Sequence, residues 1–128
     1  MAFTSSAALW VVAALALASG RPQVAAQEKP AAKASKVEYE GWRQYMVHCA
    51  RCHGDDAVGG VMAPDLRSSI AKGSASEASF RTTVSAGRRE KGMPAFQKTL
   101  TQGEIAGIYA YVAARAKGRL PAGRPSPP

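Results

Sequence analysis

Cys49-Ala50-Arg51-Cys52-His53 contains both cysteines and one of the two histidines of this 128-residue chain. Two thiols separated by two residues and followed at once by an imidazole have the spacing of a covalent haem c attachment site. Each thiol can add to one porphyrin vinyl group, and on a helical turn both sulfurs reach the same edge of the ring. His53 then lies under the iron and can supply a nitrogen ligand. Iron held this way takes a second axial ligand from the far face, and the type of that ligand largely sets the potential.

Met93 is the candidate for that second ligand. It follows His53 by 40 residues, in Lys91-Gly92-Met93-Pro94-Ala95-Phe96, between two helical segments. Gly92 lets the backbone come close to the ring, and Pro94 fixes the exit direction and stiffens the loop. The other donors fit less well. His48 shares a helical segment with His53, cannot cross the ring plane, and reads as a solvent-facing side chain. Met62 follows His53 too closely, in a loop that must first pass the proximal side. Met46 belongs to the entering helix, where core packing is its expected role.

The elements that must position these residues follow from periodicity. Trp42, Tyr45, Met46 and Cys49 recur at three- and four-residue steps, an amphipathic helix running into the haem motif. Gly41 lies one turn before Tyr45 and permits close approach by another helix. Gly54, Asp55, Asp56, Gly59 and Gly60 mark a loop that ends at Pro64, and Pro64-Asp65-Leu66 should wrap past the proximal side of the haem. Ser74 with Glu77 has the spacing of a capping box opening a short helix through Phe80 and Val84 to Gly87. Thr101 with Glu104 is a second such box, opening a last helix whose apolar stripe is Ile105, Ile108, Tyr109, Val112 and Ala116. No segment shows convincing strand alternation, so the fold class is all-α.

The ends read differently. Met1 to Ala26 carries an apolar run from Leu9 to Ala18, too short to span a bilayer comfortably but of signal-peptide size, with Val24-Ala25-Ala26 before a cleavage point at Gln27 and cleavage after Ala18 or near Gly20 as the alternatives. The leading residues contain no Lys or Arg, and an uncleaved membrane anchor is the alternative. Residues 27–36 are rich in Ala, Lys and Pro and read as a disordered leader; 118–128, with four prolines in the last eight residues, read as a disordered tail. One haem domain remains, from 37 to 117. Export to the periplasm agrees with the motif, because bacterial haem c attachment takes place outside the cytoplasm.

Competing uses of two cysteines are weaker. A structural disulfide suits an exported protein, but the two-residue gap is unusual for such a staple. A thioredoxin-like site lacks its strand pattern, and a zinc module lacks a second ligand pair. The formal charge is +8, and removal of residues 1–26 takes away one arginine to leave +7. Much of the excess lies in the two ends. Arg88, Arg89, Lys91 and Lys98 instead surround Met93, a cationic rim able to steer an acidic redox partner. Nucleic acid is not an expected partner, since export and a cofactor motif already account for the sequence.

From Glu38 to about Arg115 the chain resembles the class I cytochromes c: a helix leading into Cys-x-x-Cys-His, a proximal loop, a middle helix, a Gly-Met-Pro loop and a C-terminal helix. The resemblance implies an all-α bundle around one covalent haem c, with His53 and Met93 as iron ligands and a hydrogen bond from His53 to the Pro64 carbonyl. It also implies that Gly41 and Tyr45 pack against the last helix near Ile108 and Tyr111. A narrower resemblance rests on the segment 52–60 (Cys-His-Gly-Asp-Asp-Ala-Val-Gly-Gly), on Pro64-Asp65-Leu66-Arg67, Gly92-Met93-Pro94-Ala95-Phe96 and Ile108-Tyr109-Ala110-Tyr111-Val112. These are similar to the haem domain of quinohaemoprotein alcohol dehydrogenases and to the free cytochromes c that accept electrons from PQQ-dependent alcohol or methanol dehydrogenases. They imply a soluble, monomeric electron carrier, not an enzyme, with such a dehydrogenase as donor and a terminal oxidase or another cytochrome as acceptor. A general respiratory donor to an oxidase is the alternative. A haem peroxidase or gas sensor would need an open distal position, which Met93 argues against. Thioether ligation favours Fe(II) relative to two histidines and places the couple in a positive range.

Overall fold

The computed structural model describes Met1 and residues 32 to 128. The expected signal segment, apart from Met1, and residues 27–31 of the expected leader lie outside the described residues. The described residues form five α-helices in order: α1 Lys36–His48, α2 Ala50–His53, α3 Leu66–Ala71, α4 Glu77–Ala86 and α5 Gln102–Ala116, with a 3-10 turn at Arg89–Lys91. Among the described residues there is no strand, only an isolated bridge between Arg88 and Met93. No helix among them is long and apolar enough to cross a membrane.

Local chemistry sets the helix starts. Ser35 caps α1 in a reciprocal box with Glu38: the Glu38 carboxylate accepts the Ser35 N–H at 2.8 Å and the Ser35 hydroxyl accepts the Glu38 N–H. Thr101 and Glu104 repeat the device on α5. The two hydrogen bonds from Thr101, the backbone one foremost, hold the Glu104 carboxyl below the usual carboxylate range. The α4 cap is a correction: Ser76, not Ser74, accepts the Ser79 N–H, while the Ser74 hydroxyl donates to the Ser69 carbonyl behind α3.

Helices α1 and α5 cross at glycines. A Cβ on Gly41 would lie 1.9 Å from the Gly107 carbonyl oxygen, so the two backbones touch where any side chain would intrude. Below this crossing Tyr45 packs on Tyr111 with ring centroids 5.3 Å apart, and both are fully buried together with Ile105, Ile108 and Val112. Phe80 of α4 meets Tyr109 edge-on at 5.4 Å. Met46, expected in the core, is 36% exposed, because it sits about a quarter-turn past Tyr45 on α1.

The ends also differ from expectation. Residues 118–128, expected to be disordered, pack on the bundle: Leu120 and Pro125 are buried, and the Ser126 carbonyl accepts the N–H of buried Ala34 at 3.1 Å. The end of the expected leader is therefore part of the fold, with Lys36 already helical. Proline content marks the tail as non-helical, but it does not forbid docking through carbonyls, which accept hydrogen bonds as well from proline as from any residue.

Candidate functional site: a haem attachment turn and a methionine loop

The attachment motif occupies a short helical turn. Cys49 ends α1, donating its N–H to the Tyr45 carbonyl at 2.8 Å, and its own carbonyl accepts the N–H groups of Cys52 and His53. Both thiols are free, with no disulfide between them. Cys52 is exposed and Cys49 half-buried. Burial, and secondarily Cys52, pushes the Cys49 thiol up to about 12, so it stays protonated.

His53 is buried, at 9% exposure, and its Nδ1 lies 3.0 Å from the Pro64 carbonyl oxygen. A carbonyl can only accept, which assigns the proton to Nδ1 and leaves the Nε2 lone pair as a donor to a metal. The turn between them is held on both sides. The Tyr45 hydroxyl donates to the Gly54 carbonyl at 2.6 Å, and the Tyr111 hydroxyl to the Asp55 carbonyl at 3.3 Å. Burial raises both phenols above the ordinary tyrosine value and keeps them protonated donors.

Met93 sits in a closed turn. Its N–H donates to the Arg88 carbonyl at 3.0 Å and its carbonyl accepts the Arg88 N–H at 2.9 Å. Between them Gly92 adopts φ +81, in the left-handed region. Within the protein itself the close backbone approach lies at Gly87, where a Cβ would lie 2.6 Å from the Pro94–Ala95 peptide. The loop then returns to α4 through the Phe96 N–H and the Val84 carbonyl, at 3.0 Å. His48, expected to face solvent, is half-buried and meets Phe96 edge-on at 5.9 Å, joining the end of α1 to the methionine loop. Met93, Cys49, Leu66, Ile70 and Phe96 all pack partly buried on the core.

Arg88, Arg89, Lys91 and Lys98 are exposed, and none is in an ion pair among the described residues. Arg89 borders a shallow cavity of about 300 Å³ that Gly92, Met93, Pro94 and Ala95 also line. Met62, set aside as a ligand, is 78% exposed.

The donor set fits a haem. Among the described residues no group of three or more His, Cys, Asp or Glu side chains could hold a metal ion by itself. One imidazole with its Nδ1 engaged, two free thiols and a half-buried thioether suit an iron that brings its own equatorial nitrogens.

The fold and this donor set together define a c-type cytochrome. A family model described as cytochrome c oxidase, cbb3-type, subunit III matches residues 38–112, and the chain belongs to this family. The domain over these residues is of the electron-transfer kind. Cytochrome c-553I of Paracoccus denitrificans is 36% identical over 95 residues, 69% of this chain and 41% of that protein. The dehydrogenase subunit of the quinone alcohol dehydrogenase of Acetobacter aceti is 36% identical over 88 residues, 68% of this chain and 12% of that one. Among solved structures, the c-type cytochrome XoxG from Methylobacterium extorquens AM1 superposes with a TM-score of 0.63 at 31% identity, covering 71% of this chain and 57% of that one. The chain thus spans less than half the length of the curated relatives it matches.

Proposed function

We propose that the protein carries single electrons in the periplasm, on one haem c, from a PQQ-dependent alcohol or methanol dehydrogenase toward a terminal oxidase. What supports this reading most is a Cys-x-x-Cys-His turn whose His53 Nδ1 is engaged by Pro64, in a chain that also carries Met93 in a closed loop partly buried on the same core. The haem supplies a one-electron iron couple. Cys49 and Cys52 would hold it covalently, and His53 and Met93 would supply its iron with a nitrogen and a sulfur ligand. Pro64 keeps the His53 ring in one orientation, so little in the protein has to move when charge changes. No side chain is asked to deliver a proton.

The likeness to part of a quinone alcohol dehydrogenase supports a quinoprotein donor. The likeness to an oxidase subunit family supports the second reading, delivery to an oxidase whichever enzyme supplies the electron. Around Met93, the exposed Arg88, Arg89, Lys91 and Lys98 give the loop a positive field suited to acidic partners.

Reduction of the oxidised holoprotein by a quinoprotein alcohol dehydrogenase with its alcohol, followed by stopped flow beside an unrelated donor, tests both parts. The cognate class is expected to react faster, with a rate constant that falls about tenfold from low to physiological ionic strength. Equal rates with both donors would overturn the dehydrogenase assignment. A rate indifferent to salt would overturn the steering role of the rim.

A further inference from the structure

The turn that follows His53 is braced from behind by a buried arginine. Arg115, in the last turn of α5, has a side chain only 1% exposed, and its Nη2 lies 2.8 Å from Asp56 Oδ1. The same Nη2 donates to the Gly123 carbonyl, Nη1 donates to the Leu120 carbonyl at 3.3 Å, and Nε donates to the Tyr111 hydroxyl at 3.2 Å. Asp56 Oδ1 also accepts the Gly123 N–H at 2.9 Å. One guanidinium and one carboxylate therefore join the turn after the haem motif, the last helix and the tail. Removing the Asp56 carboxylate would leave the buried Arg115 charge uncompensated.

The braced turn is strained. Ala57 is fully buried with φ +60, a left-handed conformation that alanine adopts only when its surroundings impose it. Its carbonyl accepts the Leu66 N–H at 3.1 Å, which starts α3 two residues beyond Pro64. Residues 54–57 thus connect His53 to the segment whose carbonyl orients it. Farther out, Arg124 stacks over Trp42 at 5.4 Å and donates to the Tyr39 hydroxyl at 2.9 Å, closing the tail over α1.

We infer that Arg115 is a positioning residue for electron transfer. Through Asp56 it locks residues 54–57 and with them the His53–Pro64 bond, and Leu120 and Gly123 of the inner tail complete the lock, whereas the outer tail from Arg124 onward lies outside it. A hydrogen bond to the far nitrogen of a ligating imidazole tunes its basicity, so loosening the turn reaches the haem potential. The inference rests on His53 as iron ligand, which the wild-type ferric spectrum tests separately.

The test uses full-length holoprotein carrying Asp56→Asn, Arg115→Gln, Arg115→Lys or Arg124→Gln, with hydrogen exchange and the midpoint potential as readouts. Asp56→Asn keeps an oxygen for the Gly123 N–H but removes the charge facing Arg115. It is expected to speed exchange at the Gly54 and Gly59 amides about tenfold and to shift the potential. Arg115→Lys should recover part of what Arg115→Gln loses. Arg124→Gln should loosen Ala34 and the outer tail while leaving the potential unchanged. If Arg115→Gln does not mature, Asp56→Asn decides alone. Faster exchange confined to residues 118–126, or an unmoved potential with Asp56→Asn, would overturn the inference.

Discussion

Replacing Met93 by alanine is expected to leave the haem covalently attached while removing its distal ligand. The backbone around Met93 does not depend on its side chain: the paired bonds to Arg88 and the link from Phe96 to Val84 are main-chain contacts, and Gly92 supplies the turn. The loop should therefore keep its course with the sulfur gone. In the proposed site covalent attachment falls to Cys49 and Cys52, which α1 and α2 position independently of that loop. The iron should then bind carbon monoxide readily, and the midpoint potential should fall by about 0.1 V or more, within the wide span that axial ligands control. Spectra and potentiometry of the variant check this result. Unchanged ligation would remove Met93 from the site.

Gly41→Ala should produce the largest loss of stability of any single methyl group added to this bundle. The new Cβ would lie 1.9 Å from the Gly107 carbonyl oxygen and 2.3 Å from its carbon. Backbone atoms inside a helix cannot turn aside as a flexible side chain can, so α1 and α5 would have to separate. Separation opens the packing of Tyr45 on Tyr111 and loosens the hydroxyls that hold Gly54 and Asp55. The expected cost is about 3 kcal/mol or more, read by denaturant unfolding of the holoprotein. Gly103→Ala provides the control on α5: its Cβ would meet nothing nearer than the Thr101 hydroxyl at 3.9 Å. That change should be neutral or stabilise by up to about 1 kcal/mol through helix propensity. Equal effects of the two substitutions would contradict the close crossing.

Much of this arrangement is legible in the residues because the signals are local. Cys49, Cys52 and His53 are contiguous, the Thr101–Glu104 box spans three residues, and Ile105, Ile108 and Val112 repeat at the helical period. Gly41 announces a close approach, but its partner Gly107 is one small residue among Ala106, Ala110 and Ala113, and only the crossing point distinguishes it. The Ser35–Glu38 box has the same spacing as the box on α5, but the lysines and alanines around it carry no apolar period to mark a helix start. Arg115 carries no local signal. A charged residue at the end of an apolar helix ordinarily faces water, and the carboxylate that draws it inward is Asp56, 59 residues earlier. The tail is hidden for a related reason, since its carbonyls and the Gly123 N–H meet Arg115, Asp56 and the Ala34 N–H while Arg124 meets Trp42 and Tyr39, partners that no local pattern in the tail marks.

The central claim is that His53 and Met93 close both faces of the haem, making the protein an electron relay rather than a ligand-binding haem site. The most direct measurement is the long-wavelength absorption of the oxidised wild-type protein, taken together with exposure of the reduced form to carbon monoxide. The account predicts the weak band of methionine sulfur on ferric haem and a reduced form inert to carbon monoxide. Absence of that band together with rapid carbon monoxide binding would contradict it.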